Sequence, residues 1–299
     1  MLIVMALFVL GVNGCAKETV ATGNQAVAMS FVENAPPSTV AVNQEFPIYV
    51  DIINRGGSYL NAGEAKFYLS GVGPGFQGIT QSLVNLNFLS KESTIPERLS
   101  FAAKAKYTSD LQSPLQQNLV LTTCYNYGIV AQANICVSNI NSSVICTLSG
   151  EKITASSNSV SPIQITSVTE TLEGTKLQVT ILIENRGASS VQNFPNIYLQ
   201  DTNCDKLYAH DFNEMQKEKK LNVLVNIGAE SGWKCKVQSS VSPYPAISAL
   251  EGIISLEPIG KLVCEKNVKD EQSHSMPLTI SLHYRYVDAI IKSIQIMPA

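Results

Sequence analysis

One strand pattern occurs twice in this chain, and it constrains the fold more than any other feature. FPIYVDIINRG runs from Phe46 to Gly56, and LQVTILIENRG runs from Leu177 to Gly187. In each copy apolar residues alternate (Phe46, Ile48, Val50, Ile52; Leu177, Val179, Ile181, Ile183) and lead into Asn-Arg-Gly. A period of two ending in turn residues is the pattern of a half-buried strand. The asparagines, Asn54 and Asn185, are 131 positions apart, and such spacing implies two related β domains in tandem. The 299 residues suffice for two domains of roughly 150 each.

The repeat extends further. Phe67-Tyr68-Leu69 follows the first Asn-Arg-Gly and Ile197-Tyr198-Leu199 follows the second, and they read as equivalent strands. Leu119, Leu121, Thr123, Tyr125 and Tyr127 alternate in one place, and Leu278, Ile280, Leu282, Tyr284 and Tyr286 alternate 159 positions later. The same offset carries Ile135 and Val137 onto Ile294 and Ile296, so each copy is expected to close with a β-hairpin, the first turning at Val130. Between its first and last motifs the second copy is longer by 28 residues. These extra residues are expected between Leu199 and Leu278. Leu99, Phe101, Ala103, Ala105 and Tyr107 alternate, as do Leu221, Val223, Val225 and Ile227. Pro36-Pro37, Gly56-Gly57, Gly71 to Gly75 and Pro243-Tyr244-Pro245 mark turns. No long 3.6-residue period appears. The expected fold class is all-β, with two tandem immunoglobulin-like antiparallel β-sandwiches.

The expected boundaries are a signal peptide over 1–15, a tether over 16–26, a first sandwich over 27–150, a Ser- and Thr-rich linker over 151–161 and a second sandwich, with insertion, over 162–299. Leu2 to Val12 is nearly all apolar and shorter than the ~20 residues of a spanning helix, as in a secretory h-region. It ends at Val12-Asn13-Gly14-Cys15. A small residue before Cys resembles the lipobox of lipoproteins, which implies cleavage there and lipid on Cys15.

Apart from Cys15 there are six cysteines, Cys124, Cys136, Cys146, Cys204, Cys235 and Cys264. An even set in an exported chain suggests disulfides. Cys124 with Cys136 across the expected hairpin is favoured, with Cys136–Cys146 as the competing pairing. Cys235–Cys264 is favoured in the second copy, which leaves Cys146–Cys204 to lock the two domains together. The cysteines lack C-x-x-C spacing and the histidines (His210, His274, His283) are dispersed, so neither a metal nor a cofactor is expected. Asn141-Ser142-Ser143 is a glycosylation sequon.

Charged residues make up 15% of the chain and the net charge is −3, which provides no basic footprint for nucleic acid. Lys217-Glu218-Lys219-Lys220 reads as a solvated loop or edge guard. Trp233, the single tryptophan, reads as core packing beside a disulfide, with a stacking platform for a sugar as the functional alternative. Tyr125, Tyr127, Tyr284 and Tyr286 read as core and rim aromatics. Asn-Arg-Gly reads as turn chemistry, since Asn and Gly tolerate the left-handed conformation. No hydrolase elbow, zinc-protease motif, P-loop or dinucleotide fingerprint is present. His210 and Asp211, adjacent in sequence, would face opposite sides of a strand. An enzyme is therefore not expected.

An alternating strand leading into N-x-G, followed by an apolar-Tyr-Leu strand, resembles the CARDB-type and related immunoglobulin-like repeats of bacterial and archaeal surface proteins. CYNYGIVAQANICV, Cys124 to Val137, is similar to a hairpin of exported archaeal proteins with lipoprotein-like N-termini. The resemblance implies a non-enzymatic, membrane-tethered protein of the cell surface, acting in adhesion or envelope scaffolding. Its partners would be other envelope or surface proteins, or glycans. Self-association within a filament or envelope complex, and carbohydrate binding around Trp233, are the alternatives.

Overall fold

The structure is a computed structural model; it describes residues 25–139, 145–154, 158–187, 197–198, 204, 222–228, 232–238, 251–256 and 259–299. The lipidation candidate Cys15, the sequon Asn141, the Lys217–Lys220 run and His210 lie outside the described residues. All named elements are strands. In the first half they are β1 (Val27–Phe31), β2 (Thr39–Ala41), β3 (Phe46–Asn54), β4 (Lys66–Ser70), β5 (Phe76–Gln77), β6 (Ser82–Val84), β7 (Glu97–Tyr107) and β8 (Leu115–Val137). In the second half they are β9 (Ile163–Glu173), β10 (Lys176–Asn185), β11 (Ile197–Tyr198), β12 (Asn222–Gly228), β13 (Lys234–Gln238), β14 (Glu251–Ser255), β15 (Ile259–Asn267) and β16 (His274–Met297).

These strands form three sheets. Two are four-stranded, with orders β1-β3-β7-β5 and β9-β10-β15-β13. They correspond strand for strand, because β3 and β10 carry the repeated motif and each pairs with its half's first strand on one side and its penultimate strand on the other. The third sheet is eight-stranded and belongs to both halves. Its path is β14-β12-β16-β8-β4-β6, and β2 and β11 also pair with β16. Every ladder is antiparallel except β2 with β16. The alternation that predicts β3 is observed there as Phe46, Ile48, Val50 and Ile52 buried and the residues between them half-buried. The inner faces meet in one apolar core in a sandwich-like arrangement. In β7 the alternation breaks at Ala102, which is buried while Ala103 is exposed. A register irregularity opposite Ile48 accounts for the shift.

The expected terminal hairpins do not form. β8 is one strand of 23 residues and β16 one of 24, where strands of 5–6 are usual. All of β8 pairs with β16, from Leu115 opposite Ile296 to Val137 opposite His274. At ~3.3 Å per residue the ribbon extends about 75 Å. The first part of each long strand lies with its own half, where β8 holds β4 and β16 holds β12. The remainder crosses into the other half, and the distal end of β16 receives β2 at Gln295 to Met297. Val130 is therefore mid-strand.

The register narrows the place of the extra residues of the second half within the expected Leu199 to Leu278 interval. Leu224 of β12 pairs with His283, the position on β16 equivalent to Cys124, and Cys124 pairs with Lys66 of β4. β12, and not the Ile197-Tyr198 strand, is thus the counterpart of β4. Asn54 precedes Lys66 by 12 positions, whereas Asn185 precedes Leu224 by 39. Almost the whole insertion therefore lies before β12. It includes Cys204, but not Trp233, Cys235 or Cys264.

Candidate functional site

The two halves meet at the middle of the long ribbon. Asn126 is opposite Arg285, and the two are also 159 positions apart, so each faces its own repeat equivalent. A local pseudo-twofold axis passes between them. Arg285 Nε donates to Asn126 Oδ1 at 2.8 Å on the outer, exposed side. On the inner side Tyr125, Tyr127, Tyr284 and Tyr286 surround the axis with ring centroids 5.8–6.5 Å apart. All four are buried. The hydroxyls are held by their neighbours: Tyr125 accepts from Val27 N at 3.2 Å, Tyr127 accepts from Ser58 N at 2.9 Å, and Tyr284 is 2.7 Å from Ser161 Oγ. Burial pushes the Tyr127 hydroxyl up to about 12, against the opposing pull of its Ser58 hydrogen bond. Burial also holds Tyr125 and Tyr284 well above the ordinary phenol range. These are neutral, structural phenols.

The two Asn-Arg-Gly turns abut this tetrad and have the same hydrogen bonds. Gly56 N donates to Asn54 Oδ1 and Gly187 N to Asn185 Oδ1, each at 3.1 Å. Arg55 and Gly56 donate to the Ala26 carbonyl, and Arg186 and Gly187 to the Pro162 carbonyl. The turn reading needs one correction. Neither glycine is left-handed; each is required by close approach. A Cβ on Gly56 would lie 1.9 Å from Tyr127 Oη, and one on Gly187 2.3 Å from Tyr286 Oη.

The disulfides are Cys124–Cys204, Cys136–Cys146 and Cys235–Cys264. Cys124 and Cys136 lie twelve residues apart on one continuous strand, about 40 Å at strand rise. The favoured pairing between them is therefore excluded, since a disulfide needs Cα atoms roughly 4.4–6.8 Å apart. Cys204 reaches Cys124 with Cα atoms 5.9 Å apart, and so replaces the expected Cys146–Cys204 link with another that joins the halves. Cys136–Cys146 joins the distal end of β8 to a residue ten positions on. Cys235–Cys264 connects the paired strands β13 and β15; on the equivalent pair, β5 with β7, Phe76 and Tyr107 make an edge-on ring contact at 5.1 Å.

Trp233 is 7% exposed and belongs to the core. That burial fits the core packing expected of it beside the Cys235–Cys264 disulfide rather than the alternative of a stacking platform for a sugar.

One group escaped the sequence reading. Lys152 Nζ is 2.7 Å from Glu170 Oε1, with side chains 8% and 0% exposed. Lys152 also donates to the Thr147 carbonyl, and Glu170 Oε2 accepts from Cys136 N at 2.8 Å. Among the described residues the distal part of β8 has no strand neighbour but β16, and the carboxylate satisfies an amide there. The signal was Glu170 in phase with buried Val168 on β9. Among the described residues no cluster of three or more His, Cys, Asp or Glu is arranged to hold a metal ion.

No protein-family model matches the chain, and no curated protein matches it. Among solved structures, the secreted serine protease VesC from Vibrio cholerae aligns with a TM-score of 0.17 at 8% identity, over 86% of this chain and 50% of that one. The chain thus spans half of that protein's length, and a likeness so slight carries no argument about fold or activity.

Proposed function

We propose that this chain is an exported, membrane-tethered surface protein of two immunoglobulin-like halves, which serves adhesion or scaffolding in the cell envelope without enzymatic activity. The observation that carries the reading is its covalent bracing. All six cysteines beyond Cys15 are in disulfides, and one of these ties the insertion of the second half to the long strand of the first. Disulfides persist in oxidising compartments outside the cytosol, and a braced double sandwich suits a body that presents its surfaces at fixed spacing. Its partners would be other envelope or surface proteins; the net charge of −3 gives nucleic acid no attraction. The burial of Trp233 supports core packing for this residue over a stacking platform for a sugar.

Fractionation followed by mass spectrometry of the native protein tests this. The expected result is a membrane-associated chain cleaved before Cys15, lipidated there, carrying three intact disulfides and a glycan on Asn141. A reduced, uncleaved protein in the cytosol would overturn the reading.

A second reading, a subunit of a surface filament or envelope complex, draws on the ends of the eight-stranded sheet. Among the described residues β6 pairs only with β4 and β14 only with β12, and such edges can accept a strand from another chain. A strictly monomeric particle in sedimentation at high concentration would count against it.

A further inference from the structure

Four large apolar side chains of the first half are exposed: Tyr59, Leu86, Phe88 and Ile95, by 59%, 72%, 57% and 78%. They lie on two adjoining segments, 57–61 and 84–96. Leu60 and Leu89 exchange both backbone hydrogen bonds, and the rings of Tyr59 and Phe88 are 5.5 Å apart.

The framework beneath them is well tied. Buried Asn85 accepts from Ala65 N at 2.9 Å and donates to the carbonyls of Asn61 and Asn87, each at 2.8 Å. Asn54 Nδ2 donates to the carbonyls of Ser58 and Leu89. The Glu97 carboxylate accepts from the amides of Leu86 and Asn87. A paired polar framework that holds apolar side chains outward is characteristic of an interaction surface.

The same framework receives the chain as it enters the fold. The Ala26 carbonyl accepts from Arg55 and Gly56, and the Gly56 carbonyl accepts from Glu92 N at 3.0 Å. Ten positions separate Gln25 from Cys15, at most about 35 Å of extended chain. An anchor within residues 2–15 would therefore hold the patch beside its point of attachment. Attachment at that range raises the effective concentration of the surface at the patch to about the millimolar level, so weak insertion suffices. Tyrosine and phenylalanine among aliphatic side chains suit the water–lipid interface. The exposed neighbours Lys91 and Glu92 balance in charge, which favours a zwitterionic surface over an anionic one.

We propose that Tyr59, Leu86, Phe88 and Ile95 form a bilayer-resting surface that inserts shallowly into the interface of the membrane to which the chain is tethered. This rests on the tethered reading above. The test uses the full chain carrying Phe88→Trp, reconstituted into phosphatidylcholine vesicles with bromine-labelled acyl chains. Buried Trp233, measured in the unsubstituted chain, supplies the background. The new indole should shift to shorter wavelength and lose most of its emission to bromines placed near the headgroup. Adding Ile95→Asp should restore that emission without releasing the chain from the vesicles. Tyr59→Trp provides an independent reporter should Phe88→Trp fold poorly. A chain that floats with vesicles but keeps an unquenched indole overturns the inference and leaves the tether standing. A chain that does not float overturns both. Emission that depends on protein concentration and not on bromine would assign the patch to a second copy of the chain, and would also overturn it.

Discussion

Arg285 donates to Asn126 across the central ribbon at 2.8 Å, and the two occupy equivalent positions of a repeat with offset 159. The register of β8 on β16 thereby coincides with the internal symmetry of the sequence. Every pairing on one side of this point has a counterpart on the other: Tyr125 is opposite Tyr286, and Tyr127 is opposite Tyr284. The two halves are joined by continuous backbone hydrogen bonding and a shared aromatic centre.

Gly56→Ala should destabilise the protein by about 3 kcal/mol, because its Cβ would fall 1.9 Å from Tyr127 Oη. Combining it with Tyr127→Phe should recover part of that loss, since the hydroxyl is the first obstacle. Gly187→Ala with Tyr286→Phe should behave alike. Urea unfolding of the single and double variants gives the coupling; strictly additive losses would contradict the contact.

Alkali should unfold the protein through its tyrosine centre. The Tyr127 hydroxyl, at about 12 when folded and 10.0 ordinarily, holds its proton more tightly in the folded state. Its contribution is complete below pH 10 and declines as pH rises toward about 12. The loss amounts to on the order of 2–3 kcal/mol, and Tyr125 and Tyr284 act in the same direction. Near-ultraviolet tyrosinate absorbance should therefore rise together with the loss of structure in circular dichroism. Ionisation of these phenols in a fully folded protein near pH 10 would contradict the burial.

Lys152→Met should cost about 3–5 kcal/mol, because it strands the Glu170 carboxylate in the interior. The double variant Lys152→Met, Glu170→Gln should cost clearly less, as it leaves no buried charge and keeps an acceptor for Cys136 N. Chemical denaturation of the three variants checks the order.

Of the disulfides, Cys124–Cys204 should matter more than Cys136–Cys146. Their sequence separations are 80 and 10, for which loop-closure entropy gives about 4.5 and about 2.7 kcal/mol. Paired Cys→Ser variants, compared by thermal unfolding, test that order.

The repeat offsets of 131 and 159, the inward faces of β3 and β10 and the burial of the tyrosines were all legible from alternation, because a strand buried on one face shows its period directly. The expectation of a turn at Val130 was wrong, although a contrary signal was present: Leu119 to Val137 keeps its odd-numbered residues apolar or aromatic almost throughout, with only Thr123 departing, so the phase is never reset. What alternation does not encode is the partner. A short Ile-Tyr-Leu segment looks like β4 and does pair with β16, but the place opposite His283, the equivalent of Cys124, is decided by register, and Leu224 holds it. The role of Gly56 depends on a tyrosine 71 positions away, and the disulfide of Cys124 depends on a residue of an insertion. The ion pair of Glu170 joins a strand to a linker. Each is a long-range contact for which local pattern carries no term.

The ribbon also sets an order of events. Among the described residues β2, near the start of the chain, pairs with Gln295 to Met297, and β8, apart from its ladder with β4 at Val120 to Cys124, gains its partner only when β16 has been made. The first half thus cannot complete the eight-stranded sheet while the chain is still emerging, and the contacts it waits for join residues 137 to 256 positions apart, the kind that delay folding. With this wiring the eight-stranded sheet stays incomplete until β16 arrives, whereas β1, β3, β7 and β5 can already pair among themselves.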